Sequence, residues 1–308
     1  MTAIFPVDDE MTTIVCGTEP PADNWPPPWA ARGIKKRLGH IYFSTLQYTS
    51  DYEAELAASV LKEKKNPLIG LVERAFIPIT FYEYLVKHLP GATFVDATEW
   101  VDRLRVPKSP EEIELIKGTA ALQDAVMVEL KNIIKPGKRD LDVYAEIHCS
   151  AARKGSERAI VQVGSGPLGT IAPFDVPHFQ NRVIREGDQG VNLIRSKRTR
   201  GVLHGASEGV DGGRGAASAN EGCLRKDLLA KKGYFPPLRS FAHGQGQSLV
   251  DRPNLRPDET WKIEAGMNIA VHPQVVCKEA LTLCGHNYIV GENGAERIHK
   301  CPREITVV

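Results

Sequence analysis

Strand-like and helix-like segments alternate over the first third of the chain. Runs rich in β-branched and aromatic residues occur in "HIYFSTLQY", "PLIGLVE" and "ATFVDA". Between them, "DYEAELAASVLKEKK" and "TFYEYLVKHLP" carry apolar residues at helical spacing. This alternation predicts a small α/β domain over residues 40–104.

A long helix is predicted at the start of the next segment. Ser109 is a suitable N-cap, Pro110 fits the first helical position, and Glu112 completes an S-x-x-E capping box. Apolar residues then recur on one helical face until the Pro-Gly pair at 136–137 ends the helix.

The rest of the chain has the pattern of an α+β domain. A second helix is predicted in "LDVYAEIHCSAARKG". Short strands separated by turn residues are predicted in "AIVQVGSG", "RVIREGDQGVNLIRS", "WKIEAGMNIAVHPQVV" and "LTLCGHNYIVGENGAERIHK". We therefore expect residues 105–308 to form an antiparallel sheet covered by helices.

The N-terminal residues have a different composition. The segment "GTEPPADNWPPPWAARGIKKRLG" contains a Pro-Pro-Pro run, which favours extended backbone without ladder hydrogen bonds. We therefore predict an irregular, proline-rich arm over residues 1–39.

Composition and charge exclude several classes of function. The 308 residues are 42% hydrophobic and 25% charged, which is ordinary for a globular protein. Lys plus Arg number 39 against 38 Asp plus Glu, so we expect neither a nucleic-acid nor a membrane partner. The six cysteines form no C-x-x-C pair, and neither a signal-like N-terminus nor a long apolar span is present. The expected compartment is the cytoplasm.

The segment "FAHGQGQSLV" carries the most suggestive chemistry. It places His243 between an apolar lead-in and two glycines that flank a glutamine. Because glycine has no Cβ, backbone or ligand can approach closely here. His243 is therefore a candidate ligand or proton carrier, although a purely structural histidine in a turn explains the motif equally well.

Several segments together resemble the creatinase and Xaa-Pro aminopeptidase superfamily, which includes the M24-type peptidases. They are "KSPEEIELIK", "IKPGKRDLDVYAEI", "REGDQGVNLI", "HGQG", "EAGMNIAVHP" and "GAERIHK", in this order. The resemblance implies an α+β pita-bread C-terminal domain preceded by a smaller α/β N-terminal domain, truncated here. It also implies a hydrolase acting on a C–N bond in an amide, an X-Pro peptide or an amidine-like substrate.

The family's metal site is only partly matched. Metal-dependent members use two aspartates, a histidine and two glutamates, of which His243 and Glu296 match the histidine and the last glutamate. His272 stands where the first glutamate would precede proline, and Asn192 and Arg195 occupy the strand where aspartates would be expected. Two divalent ions need several carboxylates, so a dinuclear centre is not expected.

The resemblance implies a catalytic set of His178, His243 and Glu296, with His272 as a substrate-binding residue. His178 resembles the histidine that does acid and base work in creatinase without a metal, and Glu296 would orient it or anchor a cationic group. No cofactor is expected on this interpretation. Alternatively, His243, His272 and Glu296 have the composition of a mononuclear site for Zn, Mn or Fe.

A second interpretation belongs to a different class of protein. The missing aspartates, a shortened hairpin and the glycine-rich stretch "GVDGGRGAASANEG" are compatible with a catalytically inactive pita-bread domain used as a binding module. Convergence of His178, His243 and Glu296 on one pocket would favour the enzyme. On either interpretation the resemblance implies a homodimer, with a peptide or small-molecule substrate if the protein is active.

Overall fold

A computed structural model describes residues 1–17, 33–41, 43, 45–172, 181–198, 203–208, 230–234, 240–276, 281–283 and 285–302. The chain divides into two compact units, Met1–Val101 and Asp102–Val308. This boundary lies three residues before the predicted start of the second domain.

The first unit is an α/β unit, as predicted. Strands β1 (Thr2–Ile4), β2 (Met11–Cys16) and β3 (Ile34–His40) form a sheet in this order, with β2 antiparallel to β1 and parallel to β3. Strands β4 (Leu68–Leu71) and β5 (Thr93–Asp96) form a parallel pair. Helices α1 (Tyr52–Leu61) and α2 (Ile79–His88) share a core with the strands, in which Ile14, Ala54, Ala57 and Leu85 are buried.

The prediction of an irregular arm over residues 1–39 is wrong where the structure describes it. Residues 2–4, 11–16 and 34–40 form strands, and Ile14 is fully buried in the core of the first unit. The Pro-Pro-Pro run falls within residues 18–32, which lie outside the described residues. The proline content of that segment does not predict the structure of the residues before it. There the run "MTTIVC" is rich in β-branched residues, which favour a strand.

The strand predicted in "HIYFSTLQY" is also misplaced. β3 ends at His40, and the chain continues through a single 3₁₀ turn at Gln47–Thr49. Ile41 and Phe43 are exposed, so these apolar residues have no core to pack against. The observed strand is "IKKRLGH", of which only Leu38 and His40 are buried. Because three of its seven residues are Lys or Arg, its sequence shows no alternation of apolar and polar residues that would predict a strand.

Helices α4 (Pro110–Ile133) and α5 (Asp140–Arg153) of the second unit match the two predicted helices. Helix α3 (Thr98–Arg105), for which the sequence made no prediction, precedes them and begins in the first unit. At the start of α4, the Ser109 hydroxyl accepts from the Glu112 amide, and the Glu112 carboxylate accepts from the Ser109 amide at 2.8 Å. This reciprocal capping box fixes the helix start.

The strands of the second unit form antiparallel sheets. β6 (Arg158–Pro167), β7 (Asp188–Arg198) and β8 (Leu203–Glu208) form one sheet in chain order. A second has the order β10-β9-β11-β14-β15, and β12 and β13 form a separate hairpin. The ranges are β9 Ala242–Gly244, β10 Asp251–Asn254, β11 Asn268–Val271, β12 Gln274–Val276, β13 Leu281–Leu283, β14 His286–Gly291 and β15 Gly294–Arg297.

Helices α4 and α5 pack against β6 and β7 around a core that includes Val126, Ile147, Val161 and Ile194. The architecture is thus the predicted antiparallel sheet with covering helices. None of the helices in the described part of the chain is long and apolar enough to cross a membrane.

Candidate active site

His243 and His272 lie together on the five-stranded sheet. His243 in β9 is directly opposite Ala270 in β11, and His272 follows β11 with its amide donating to the Phe241 carbonyl at 3.0 Å. Residues directly opposite one another, and residues two apart on one strand, share a face of the sheet. The two imidazole rings are accordingly 4.9 Å apart at 58°, and each residue is only 8% exposed.

A backbone hydrogen bond assigns the proton on the ring of His243. Nδ1 lies 2.7 Å from the Gly244 carbonyl oxygen. Because a carbonyl oxygen only accepts, Nδ1 must carry the proton and donate it. In the neutral ring, Nε2 therefore keeps its lone pair and can accept a proton or bind an electrophile.

The structure also explains the glycine after His243. A Cβ on Gly244 would meet the Arg252 carbonyl oxygen and carbon and the Asp251 carbonyl oxygen, all of them backbone atoms of β10. These contacts would be far closer than van der Waals distance. The close approach inferred from the sequence is thus real, but β10 makes it rather than a ligand.

Three buried amide side chains support the loop that follows His243. Asn287 donates through Nδ2 to Gln245 Oε1 at 2.8 Å and to Asn268 Oδ1 at 3.0 Å. Asn268 donates through Nδ2 to the Gln245 carbonyl at 3.0 Å. All three residues are fully buried, so this network fixes the backbone that carries His243.

Sequence reasoning missed Asn268 and Asn287. Asn268 is the one polar residue of the strand "NIAV", and Asn287 directly follows His286 in the strand "HNYIVG". Such a position, facing the same side as a candidate histidine, is the signal that could have identified them. It becomes informative only once the register shows that Asn287 is opposite Ala270.

The rest of the β9–β10 connection is anchored by a buried ion pair. The Asp251 carboxylate accepts from the amides of Gln247 and Ser248 and lies 3.5 Å from Lys108 Nζ. Burial lowers the pKa of Lys108, although the neighbouring Asp251 opposes this effect. The side chains of Lys108 and Asp251 are almost completely buried, so the pair positions the loop and does not meet substrate.

Glu296 is not near the two histidines. It lies on β15, which is separated from β9 by β11 and β14. At the usual spacing of about 4.8 Å per strand, its backbone is roughly 14 Å from that of His243. Its side chain is 54% exposed and forms an ion pair with Lys117 of α4 at 3.1 Å. The structure therefore brings His243 and His272 together and leaves Glu296 apart.

The remaining candidates cannot be placed. His178 lies within residues 173–180, outside the described residues. Asn192 and Arg195 belong to β7, opposite Val163 and Ile160 of β6, but their side chains are not described. The catalytic role predicted for His178 stays a prediction.

The described residues do not fit a metal centre at the histidine pair. Within the part of the chain that the structure describes, His243 and His272 do not belong to any group of three or more His, Cys, Asp or Glu ligands close enough to share an ion. A dinuclear centre needs several carboxylates, and the mononuclear set predicted here relied on Glu296, which lies elsewhere. No step of the proposed reaction is therefore assigned to a metal.

Comparisons with known proteins relate this sheet and its histidine pair to a family. Residues 34–106 match the family model described as the Creatinase/Prolidase N-terminal domain. Over these residues the chain is similar to the creatinase and Xaa-Pro aminopeptidase superfamily.

Individual relatives extend the similarity into the second unit. A probable dipeptidase PepE of Mycobacterium tuberculosis is 28% identical over 251 residues, covering 71% of this chain. The match covers 65% of that dipeptidase, so the chain spans just under two thirds of its length. An Xaa-Pro dipeptidase of Lactobacillus helveticus is 22% identical, with 71% of this chain and 67% of that protein covered.

A solved structure shows the same fold. The Xaa-Pro dipeptidase from Bacillus anthracis superimposes with a TM-score of 0.72 at 19% identity, covering 99% of this chain and 88% of that one. At this identity the likeness establishes the fold alone. Within that fold, the residues of this chain must carry the functional argument.

Proposed function

We propose that the protein is a hydrolase of C–N bonds of the creatinase and aminopeptidase P type, and that dipeptides with an Xaa-Pro bond are its foremost substrates. Its relatives are named dipeptidases and Xaa-Pro dipeptidases. The observation that carries the proposal is the pair of buried imidazoles, 4.9 Å apart, at the predicted site.

The pair suits proton transfer during hydrolysis. Nε2 of His243 accepts a proton from water as the water oxygen bonds to the substrate carbonyl carbon. When the C–N bond breaks, the leaving nitrogen takes a proton from a second acid. We assign that donor to His178, as the resemblance implies, and His272, which lies beside His243, is the alternative donor.

A single divalent metal ion remains an alternative proposal for this site. His243 Nε2 has the lone pair that a metal requires, and His272 lies next to it. Such an ion would need a further ligand from outside the described residues, because Glu296 is engaged with Lys117.

An inactive binding module is the competing function. The observation that favours it is the lack, within the described residues, of any carboxylate grouped with His243 and His272 as a metal site. A binding module would retain the network around Gln245 as packing but would not depend on the lone pair of His243.

Hydrolysis assays distinguish the two proposals. Purified protein is assayed with an Xaa-Pro dipeptide, a dipeptide without proline and a creatine-like amidine, alone and with added Mn, Co or Zn. We expect turnover of the Xaa-Pro dipeptide and a loss of roughly a hundredfold or more in kcat for His178→Ala, as for other general acid–base residues. Binding of the dipeptide without turnover in every metal condition would support the binding module.

The matched control is His88→Ala. His88 lies at the end of α2 in the first unit, where its ring stacks on Tyr84. Its replacement should leave kcat unchanged. We also propose that the protein is a homodimer, which sedimentation or light scattering would test.

A further inference from the structure

Three potential metal ligands meet near the C-terminal end of the described chain. His286 is the first residue of β14, and His299 and Cys301 follow β15. All three are buried, and one ligand atom of each lies within 4.8 Å of those of the other two. Across the described residues, this is the only group of three or more His, Cys, Asp or Glu side chains with such spacing.

Asp124 of α4 orients the histidine at the centre of this cluster. Its carboxylate accepts from His299 Nδ1 at 2.9 Å and also from the Lys300 amide. A carboxylate that accepts from a backbone amide through one oxygen presents the other oxygen as an acceptor too, so Nδ1 of His299 carries the ring proton and donates it.

This assignment leaves the other ring nitrogen of His299 with a buried lone pair. His299 is completely inaccessible to solvent, and its Nε2 has no hydrogen-bond partner within the described part of the molecule. A buried acceptor that lacks a partner costs free energy. Metal-binding histidines usually donate the N–H of one ring nitrogen to a carboxylate, and this hydrogen bond orients the other nitrogen towards the metal.

The spacing of the ligands suits one small cation. Tetrahedral zinc with bonds of about 2.0–2.1 Å to nitrogen and about 2.3 Å to sulfur separates these ligand atoms by about 3.3–3.6 Å. Ligand atoms within 4.8 Å of one another therefore need to approach by at most about 1.5 Å when the ion binds. Two imidazoles and a thiolate favour zinc over magnesium or calcium, which prefer oxygen.

The cluster is separate from the candidate active site. His286 is opposite Val271 in the sheet, whereas His243 is opposite Ala270. Because successive side chains of a strand point to opposite faces, His286 and His243 emerge on opposite sides of the sheet. One ion cannot bridge the two sites.

We propose that His286, His299 and Cys301 bind a single Zn²⁺, with Asp124 positioning His299 and water or a carboxylate oxygen as the fourth ligand. Binding displaces the thiol proton of Cys301 to solvent. The ion joins the start of β14 to the segment after β15 and, through Asp124, to α4. Its role is structural and does not depend on the proposed hydrolase activity.

Cobalt(II) titration of metal-stripped, full-length protein tests the proposal. We expect one equivalent to bind with tetrahedral visible bands and a near-ultraviolet thiolate-to-cobalt band, both removed by one equivalent of Zn²⁺. Cys301→Ser should abolish the thiolate band. Cys149→Ser, which alters an exposed cysteine of α5, should retain it, as should the double variant His243→Ala, His272→Ala.

Other results would overturn the proposal. These are a wild-type protein without the thiolate band, a band that persists in Cys301→Ser, or a band lost in the His243 and His272 variant. If Cys301→Ser does not fold, alkylation of the wild-type protein in mild urea gives the answer by mass spectrometry. Zn²⁺ should slow labelling of Cys301 severalfold and leave Cys149 unchanged, and equal labelling of Cys301 with and without Zn²⁺ would refute the site.

Discussion

At the scale of single residues, the proton on His243 is fixed by one carbonyl oxygen. Because Nδ1 donates to the Gly244 carbonyl, only Nε2 can act as a base or ligand. His243→Ala should therefore lower kcat/KM for an Xaa-Pro dipeptide by roughly a hundredfold or more. His243→Gln should be nearly as damaging, since an amide nitrogen has no basic lone pair. Activity of either variant within a fewfold of wild type would exclude His243 from the chemistry.

The backbone of β10 lies so close to Gly244 that no larger residue fits at this position. Adding one methyl group in Gly244→Ala places a carbon against the Arg252 carbonyl, so we expect a loss of about 1–3 kcal/mol in the free energy of unfolding. Urea denaturation measures this loss. In the control Gly190→Ala, the new Cβ meets only the Gly164 carbonyl oxygen at 3.6 Å, an ordinary contact, and stability should hardly change. Equal stability of the two variants would contradict the steric argument.

Candidate residues could be nominated from the sequence where a family motif marks them. The order of the motifs was sufficient to nominate His243 and His272, which the structure places side by side, in β9 and directly after β11. Glu296 was nominated by the same reasoning, but chain order does not reveal that β11 and β14 lie between its strand and β9. The cluster around His299 was missed for a related reason, since only the folded sheet brings His286 close to His299 and Cys301.

At the scale of elements, local signals with a defined mechanism were reliable. The capping box at Ser109 and the helix it begins could be predicted because every group involved lies within four residues. The strand "IKKRLGH" could not, because its pairing with β2 depends on residues more than twenty positions away. Composition of the intervening proline-rich segment obscured both strands.

The connection between β10 and β11 depends on a buried carboxylate. Glu259 is 6% exposed and accepts from Arg252 at 2.7 Å and from the amides of Asn254 and Trp261. The Arg252 guanidinium also lies over the Trp261 ring at 4.5 Å. Burial would raise the pKa of Glu259, but the hydrogen bonds from Arg252 and the two amides outweigh it and lower the pKa from 4.5 to about 2.

This shift predicts a pH-dependent contribution to stability. The folded pKa lies below the unfolded one, so the contribution of Glu259 is fully present above pH 4.5 and is lost as the pH falls towards 2. At about 1.4 kcal/mol per pKa unit it amounts to about 3 kcal/mol. Glu259→Gln should destabilise the protein by up to this amount at pH 7, and the difference from wild type should shrink below pH 4.5.

Urea unfolding at a series of pH values provides the measurement. Asp258→Asn is the control, because the neighbouring Asp258 is 72% exposed and its ion pair with Arg256 lies at the surface. Exposed pairs contribute little, so this variant should be about as stable as wild type at every pH. A Glu259→Gln difference that does not depend on pH would show that the carboxylate charge is not what stabilises the loop.

At the scale of the whole molecule, the order of weak motifs carried more information than any one of them. Six short segments in one order indicated the pita-bread fold, which the Bacillus anthracis structure shares at 19% identity. Two chains can share a fold at such low sequence identity because the fold depends mainly on which positions are buried and apolar. The chemistry needs particular side chains, and several of those expected from the family are replaced in this chain.

The number of metal ions bound per molecule tests whether these replacements remove the family's dinuclear centre. A dinuclear centre requires carboxylates to balance four positive charges, and the strand expected to supply two aspartates carries Asn192 and Arg195. The cluster of His286, His299 and Cys301 offers one independent site for a softer ion.

We therefore expect protein dialysed against Zn²⁺ or Mn²⁺ to retain one equivalent of zinc and no tightly bound manganese. Elemental analysis of wild type beside His243→Ala should give the same content for both, because the retained ion lies on the other side of the sheet. Two equivalents in wild type that fall to none in His243→Ala would instead place a dinuclear centre at the histidine pair and show that carboxylates from outside the described residues complete it.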